Sequence, residues 1–304
     1  MKIIVIGAGA LGAYFGGRLE ETGQEVRYVV RSKRKAEIEE KGLYIHSSAG
    51  DYAIREPQLV TELTEVNDVD LVLLAVKGQH LQGTIPTLKE LVQKGAKVLP
   101  LLNGIEHISV LQKELGEEVV VGGLSFIIAT LNEDGHVVHS SAFHDLIFGP
   151  LHESQKEFCT ELHSIMEKAN FTQQLATDIY VKMWEKYMFI SAFSGITTAT
   201  NLSIGPVREE KETLHVTKML LVELKELANS YGANLTDIQV EQALEKVMQL
   251  NEEATSSMHQ DRRKGLTLEV DHLHGGAVRL AKAKGVAIPY TETILGMIKP
   301  FENR

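Results

Sequence analysis

The chain opens with a strand-like apolar run, Lys2–Ile6, that passes directly into Gly7-Ala8-Gly9-Ala10-Leu11-Gly12 and then into a helix-forming stretch. Nothing else in its 304 residues constrains the fold as tightly. Between a strand and a helix, each glycine has its own steric task. Gly7 permits the tight turn, Gly9 lets a pyrophosphate approach the backbone, and Gly12 lets the helix pack close to the sheet. Phosphates held by the loop Gly7, Ala8, Gly9, Ala10, Leu11 and Gly12 would rest on the helix N-terminus, where free N–H groups and the helix dipole favour anions. The plainer alternative is a tight strand–helix turn without a ligand.

The next strand, Glu25–Val30, runs into Arg31-Ser32-Lys33-Arg34-Lys35. About 20 residues past the glycines, an acid would hold the ribose 2′-hydroxyl of NAD; an arginine suits the 2′-phosphate of NADP. Arg31 is the candidate reader of that phosphate, with Arg34 or Lys35 as helpers. The alternative is a solvated basic turn. Lys77 and Asn103 follow two further predicted strands, Val69–Ala75 and Lys97–Leu102. Open α/β sheets bind ligands outside the carboxyl ends of their strands, so both residues are placed to meet a cofactor. An exposed loop charge and an ordinary Asn-Gly turn are the plain readings of the same positions.

Strand and helix alternate through the first half. Helices are expected at Ala10–Glu21, His80–Lys94, Ile105–Leu115 and Glu153–Ala169. Small antiparallel pairs are expected at Tyr44–His46 with Tyr52–Ile54 and at Phe126–Asn132 with His136–Ser141, and a short strand near Phe171–Leu175. From Asp178 onward the strand patterns stop, and helices are expected at roughly 178–199, 208–231, 236–249 and 266–284. The fold class is therefore α/β: an N-terminal Rossmann-type dinucleotide-binding domain over 1–176, followed by an all-helical domain over 177–304.

Net charge is -10, which argues against nucleic-acid or anionic-membrane binding and means that an anionic ligand needs a local positive cluster. A single cysteine, Cys159, excludes an intrachain disulfide framework and fits a reducing cytoplasm. The start MKIIVIGAGALG reads as a strand entering a glycine turn rather than a signal peptide. Residues 187–205 come nearest to a membrane span, but serines, threonines, Gly195 and Asn201 dilute them, and a buried core helix is expected. The twelve histidines show no metal-ligand spacing, and no metal is expected.

At the mouth of that apolar segment stands Lys186, with Lys182 one turn before it and Ile190 one turn after. Burial would lower the ammonium pKa and make it a usable acid. Glu269, flanked by apolar residues at an expected helix start, is a reasonable partner. From periodicity alone, a structural Lys–Glu pair or two solvated charges stands level with a catalytic pair.

Taken in order, GAGALG, Arg31, AVKGQH, LLNGIEH, WEKYMF…GITTAT, SSMHQD and LEVDHLHGG resemble the ketopantoate reductase (2-dehydropantoate 2-reductase) family across essentially the whole chain. The resemblance implies NADPH-dependent reduction of ketopantoate to pantoate, a step toward pantothenate and coenzyme A. By motif it makes Lys186 the catalytic lysine and Glu269 the acid that positions substrate and lysine. It makes Ser257 a contact of the substrate carboxylate, and Lys77 and Asn103 residues of the cofactor–substrate junction. Arg31 becomes the reader of the 2′-phosphate. Two positions depart from the family pattern: Ile190 and Ala254 stand where asparagines are common, the first of them substrate-holding. A related reductase of a different branched 2-oxo acid is therefore the nearest rival, and a non-catalytic NADPH-binding sensor the rival from another class. A helical second domain can form a homodimer in such folds, although no segment of the sequence marks the interface.

Overall fold

The strand at the chain start, β1 (Lys2–Ile6), lies at the centre of a five-stranded sheet in the computed structural model, which describes residues 1–303. After it come α1 (Ala10–Glu20), β2 (Glu25–Val29), α2 (Ser32–Lys41), β3 (Leu43–Ser47), β4 (Tyr52–Ile54), β5 (Gln58–Val60) and β6 (Leu71–Leu74). Next are α3 (Leu81–Gln93), β7 (Lys97–Pro100), α4 (Glu106–Leu115), β8 (Gly122–Leu131), β9 (Val137–Gly149), α5 (Lys156–Met166) and β10 (Thr172–Leu175). The central sheet has the order β5-β2-β1-β6-β7, and every pairing in it is parallel. Strands covered on both faces read as continuous apolar runs, as Ile3–Ile6 and Leu71–Leu74 do.

Five strands form a second sheet: β10-β9-β3-β4, with β8 pairing antiparallel on β9. The two antiparallel pairs expected from the sequence both form, and β8 and β9 are longer than expected. A parallel pairing of β3 with β9, invisible to local patterning, joins them into one sheet. Helix α1 is buried among residues of both sheets: Ala13, Tyr14, Phe15 and Leu19 join Ile3, Val5 and Leu73 of one and Ile45, Val137 and Phe148 of the other in one core. That explains why α1 is apolar nearly all round. The opposite face of the central sheet packs Ile4, Ile6, Val72, Leu74 and Val98 against Leu81, Ile85, Leu88 and Leu91 of α3. Each such side chain, fully buried, contributes roughly 1.5–3 kcal/mol.

The chain divides into two units. One comprises Met1–Leu102 and His107–Ile179; the other comprises Asn103–Glu106 and the chain from Tyr180 onward. The second unit holds α6 (Ile179–Thr200) from Tyr180 on, α7 (Ile204–Glu209), α8 (Lys211–Ser230), α9 (Asp237–Gln249), α10 (Ser257–Arg263), α11 (Gly276–Lys284) and α12 (Pro289–Ile298), with no strand among its described residues. A Thr236/Gln239 capping box opens α9. Buried Glu223 of α8 accepts from the Tyr290 and Thr291 amides and the Thr291 hydroxyl, all at 2.8 Å, and so caps α12 from the side. Among the described residues no helix is long and apolar enough to cross a membrane, and the apolar run of α6 is core, as expected.

Two helix expectations need correction. The stretch 208–231 breaks at Glu210, whose extended backbone (ψ 122°) separates α7 from α8. The stretch 266–284 becomes helical only at Val270 and then runs without a break to Lys284. Leu268 donates its amide to the Glu302 carbonyl instead of entering a helix, and a π-helical turn over Asp271–Gly275 leads directly into α11 at Gly276. Glu269 thus stands just before the turn, its carbonyl accepting from the Leu273 amide at 2.9 Å.

Candidate functional site

In the first unit the glycine turn joins β1 to α1. Gly7 has φ +97°, and a Cβ there would lie 2.7 Å from the Ala75 carbonyl oxygen. A Cβ on Gly12 would lie 2.2 Å from the Gly7 carbonyl oxygen. Both positions are closed by the protein itself. Gly9 differs: a Cβ there would meet no protein atom within 4 Å. Packing therefore does not require a glycine at position 9, whereas a group approaching the backbone would. Gly9 is also the N-cap of α1, no side chain caps that end, and no acid occupies the first turn. Ala8 is buried, while Ala10 and Leu11 are half-buried at the same turn. The cradle fits a pyrophosphate.

Arg31 follows β2, is exposed, and serves as the N-cap of α2 with extended backbone. Its guanidinium makes no hydrogen bond or ion pair with another described residue. Arg34 is already engaged: it donates to the Ala8 carbonyl at 3.3 Å and the Gly135 carbonyl at 2.8 Å, and pairs with Glu37 at 3.4 Å. Lys35 lies 3.8 Å from Glu39. Of the basic turn, Arg31 and Lys33 are the cations not engaged by another described residue, and Arg31 is the one that directly follows β2. Lys77 is exposed just past β6. Arg31, the glycine turn and Lys77 thus follow the carboxyl ends of three neighbouring strands, β2, β1 and β6.

In the second unit Lys186 lies on α6 with only 8 % of its surface exposed, and burial pushes its ammonium down to about 8. Lys182, one turn earlier, is 44 % exposed and paired with Glu185 at 2.8 Å, as a solvated lysine should be. Tyr187 donates to the Leu273 carbonyl at 2.5 Å, and His274 Nε2 donates to the Ser191 carbonyl at 2.9 Å. These two bonds lay the segment after Glu269 along the Lys186 stretch of α6. Glu269 is half-buried. Burial also holds His274 down at about 4, so its ring is neutral.

Ser257 is the exposed first residue of α10; the buried Ser256 before it caps that helix by accepting from the His259 amide at 3.1 Å. Ile190 is half-buried one turn beyond Lys186 on α6, which also carries a stacked Phe189–Phe193 pair with ring centroids 5.9 Å apart. Ala254 is half-buried, and its carbonyl accepts from the Ile204 amide. Asn103 follows β7 but folds with the second unit, and its carbonyl accepts a 2.6 Å bond from His272 Nε2. His272, His274 and Arg279 were not singled out as site residues from sequence. Their partners Asn103, Ser191 and Glu106 lie 169, 83 and 173 positions away, beyond any local pattern.

Comparison with known proteins bears on the family and the fold. The family model described as "Ketopantoate reductase PanE/ApbA" matches residues 3–153, and its "C terminal" counterpart matches 178–302. The "Uncharacterized oxidoreductase YkpB" of Bacillus subtilis (strain 168) is 32 % identical over 302 residues, covering 99 % of both chains. A PanE/ApbA family ketopantoate reductase from Ralstonia eutropha JMP134 superposes with a TM-score of 0.88 at 26 % identity, over 99 % of this chain and 98 % of that one. A D-mandelate dehydrogenase solved with NADH and anilino(oxo)acetate shares the fold, with a TM-score of 0.88 at 22 % identity over 99 % and 98 % of the two chains.

Proposed function

Since the chain belongs to the ketopantoate reductase family and is an oxidoreductase, we propose that it reduces ketopantoate to pantoate with NADPH, Lys186 serving as proton donor. The observation that carries the reading is the burial of Lys186, whose ammonium titrates near 8 in place of 10.5. Such a group is still mostly protonated at neutral pH yet releases its proton more readily than a surface lysine. Bound NADPH supplies the hydride to C2 of the 2-oxo acid. Lys186 donates a hydrogen bond to the ketone oxygen, stabilises the negative charge that develops there, and gives it the proton. Glu269 holds substrate and lysine in place, and Ser257 contacts the substrate carboxylate. Gly7–Gly12 cradles the pyrophosphate, Arg31 reads the 2′-phosphate, and Lys77 and Asn103 serve the junction of cofactor and substrate.

NADPH oxidation with ketopantoate, followed at the nicotinamide absorbance, tests this reading. Lys186→Ala should keep NADPH affinity and lose turnover by about 10²-fold or more. Turnover within threefold of wild type would move the proton donor elsewhere.

A second reading follows from Ile190 and the neighbouring Phe189–Phe193 stack: a 2-oxo acid with a more apolar substituent. A protein of like fold was solved with anilino(oxo)acetate. Apolar side chains at these positions of the Lys186 helix would favour apolar substrates and select weakly among them. If ketopantoate outcompetes aryl and longer branched 2-oxo acids in kcat/KM, this second reading fails.

A further inference from the structure

Residues 103–106 leave strand β7 yet fold with the second unit, where side chains from far along the chain hold them. His272 Nε2 donates a 2.6 Å hydrogen bond to the Asn103 carbonyl. That oxygen can only accept, so Nε2 carries the proton and the tautomer is fixed. Gly104 follows with φ +90°, and a Cβ there would stand 3.2 Å from His272 Nε2. The backbone therefore runs close against the imidazole edge. Two residues on, Glu106 receives a two-pronged ion pair from Arg279, at 2.8 and 2.7 Å. Arg279 also bonds the Asp271 carboxylate at 3.2 Å and the Asp271 carbonyl at 3.1 Å, and Lys299 pairs with Asp271 at 3.2 Å. A planar fork on a carboxylate fixes direction as well as distance.

Asp271 and His272 open the π-helical turn that begins two residues after Glu269. Tyr187 and His274 fasten the same turn to α6, at the residue after Lys186 and at Ser191. Single π turns inside helices recur at functional sites. This one meets the loop of Asn103, the chain of Glu269 and the helix of Lys186 at once. We propose that His272, braced by the Arg279–Glu106 fork, is a positioning residue: it sets the Asn103 backbone, and with it the Asn103 amide, in register with Glu269 and Lys186. The proposal rests on the roles given above to those three residues. Misplacing a reacting group by about 1 Å can cost 10²-fold in rate, so a bond that acts only through Asn103 can still matter.

Two variants separate positioning from bulk. His272→Leu keeps volume and removes the donor; His272→Gln keeps an N–H donor. Amide hydrogen exchange on the whole, ligand-free chain reads the clamp without reference to activity. Exchange over 103–106 should quicken at least several-fold in the Leu variant and stay near wild type in the Gln variant. In steady-state kinetics, the Leu variant should lose about tenfold or more in kcat while the KM for NADPH stays within about twofold, and the Gln variant should regain most of that loss. Combined with Asn103→Ala, His272→Leu should add little, because both act through one group. Unchanged exchange overturns the clamp, and quickened exchange with unchanged kcat overturns the positioning. So do additive losses in the double variant, or an Asn103→Ala chain as active as wild type. If His272→Leu fails to fold, Arg279→Lys decides instead: kcat lowered with KM kept supports the proposal, and unchanged kcat overturns it. Inactivity of the wild type toward every 2-oxo acid would sink the proposed function, and the exchange measurement would still decide the clamp.

Discussion

Lys186 carries a cost that the proton-donor role proposed for it explains. Its ammonium titrates at about 8 in the fold against 10.5 in the open chain, with burial as the cause. The unfolded chain therefore binds that proton more tightly, and the fold is penalised at neutral pH. The penalty is roughly 3 kcal/mol at most, at about 1.4 kcal/mol per unit, and it disappears as pH rises through 8 toward 10.5. Lys186→Met should therefore abolish turnover yet raise stability at pH 7 by up to that amount. Urea unfolding at pH 7 and again above pH 10 checks this, and a gap that does not close with pH would contradict the account. For catalysis the sign follows from the proton donor: kcat/KM should fall as pH rises past about 8, where the acid form is lost. A profile flat to pH 10 would exclude Lys186 as that acid. His274 carries the matching acid-side prediction. Its pKa is held at about 4, so the unfolded chain takes up a proton below pH 6.5 that the folded ring refuses. Stability should fall between pH 6.5 and about 4, and His274→Gln should flatten that limb in acid unfolding. Lys186 was legible in sequence because a charge set against an apolar run shows itself locally. His274 was not, because the carbonyl it serves belongs to Ser191, 83 positions away.

The element that positions the candidate cofactor site is the turn from β1 into α1, which the sequence made plain through its glycine spacing. Less plain was how Arg34 straps that turn, through the Ala8 carbonyl, to the Gly135 carbonyl of the β8–β9 hairpin. Two arginines three residues apart therefore predict different defects. Arg31→Ala should weaken NADPH at least tenfold and leave NADH within about twofold, because only NADPH carries the 2′-phosphate. Arg34→Ala should weaken both alike, since it loosens the turn that both share, and should cost about 1–3 kcal/mol of stability by leaving two carbonyls unsatisfied. Titration of each variant with both cofactors decides. An Arg34 variant selective against NADPH would return that residue to the phosphate site. Helices with long apolar periods, such as α6, α8 and α9, could be read from pattern. Shorter α7, α10 and α12 could not, and the helix expected from 266 starts only at Val270 because the Leu268 amide bonds to the Glu302 carbonyl, 34 positions on.

At the scale of the whole chain, local order in sequence and membership in a folded unit part company at residues 103–106. Sequence assigns them to the first half because they follow β7; His272 and Arg279 assign them to the second. The consequence concerns where stability is felt. Glu106 starts α4, whose remaining residues belong to the first unit, yet its ion pair closes on Arg279 of α11. Arg279 is 47 % exposed and Glu106 23 %, so solvent weakens the pair to about 1 kcal/mol despite its forked geometry. Glu106→Gln should accordingly lower stability by about that amount, less at high salt because exposed charges are screened. Hydrogen exchange should locate the loss at Asp271–Lys284 and leave β1, β6 and β7 as protected as in wild type. Exchange that instead quickened along β7 and the rest of α4 would place Glu106 with the first unit, as the sequence order suggests. The salt dependence checks the cause: Arg279→Met in the Glu106→Gln background should lose little further from this pair, and what it does lose should trace to Asp271, the second acid that Arg279 holds.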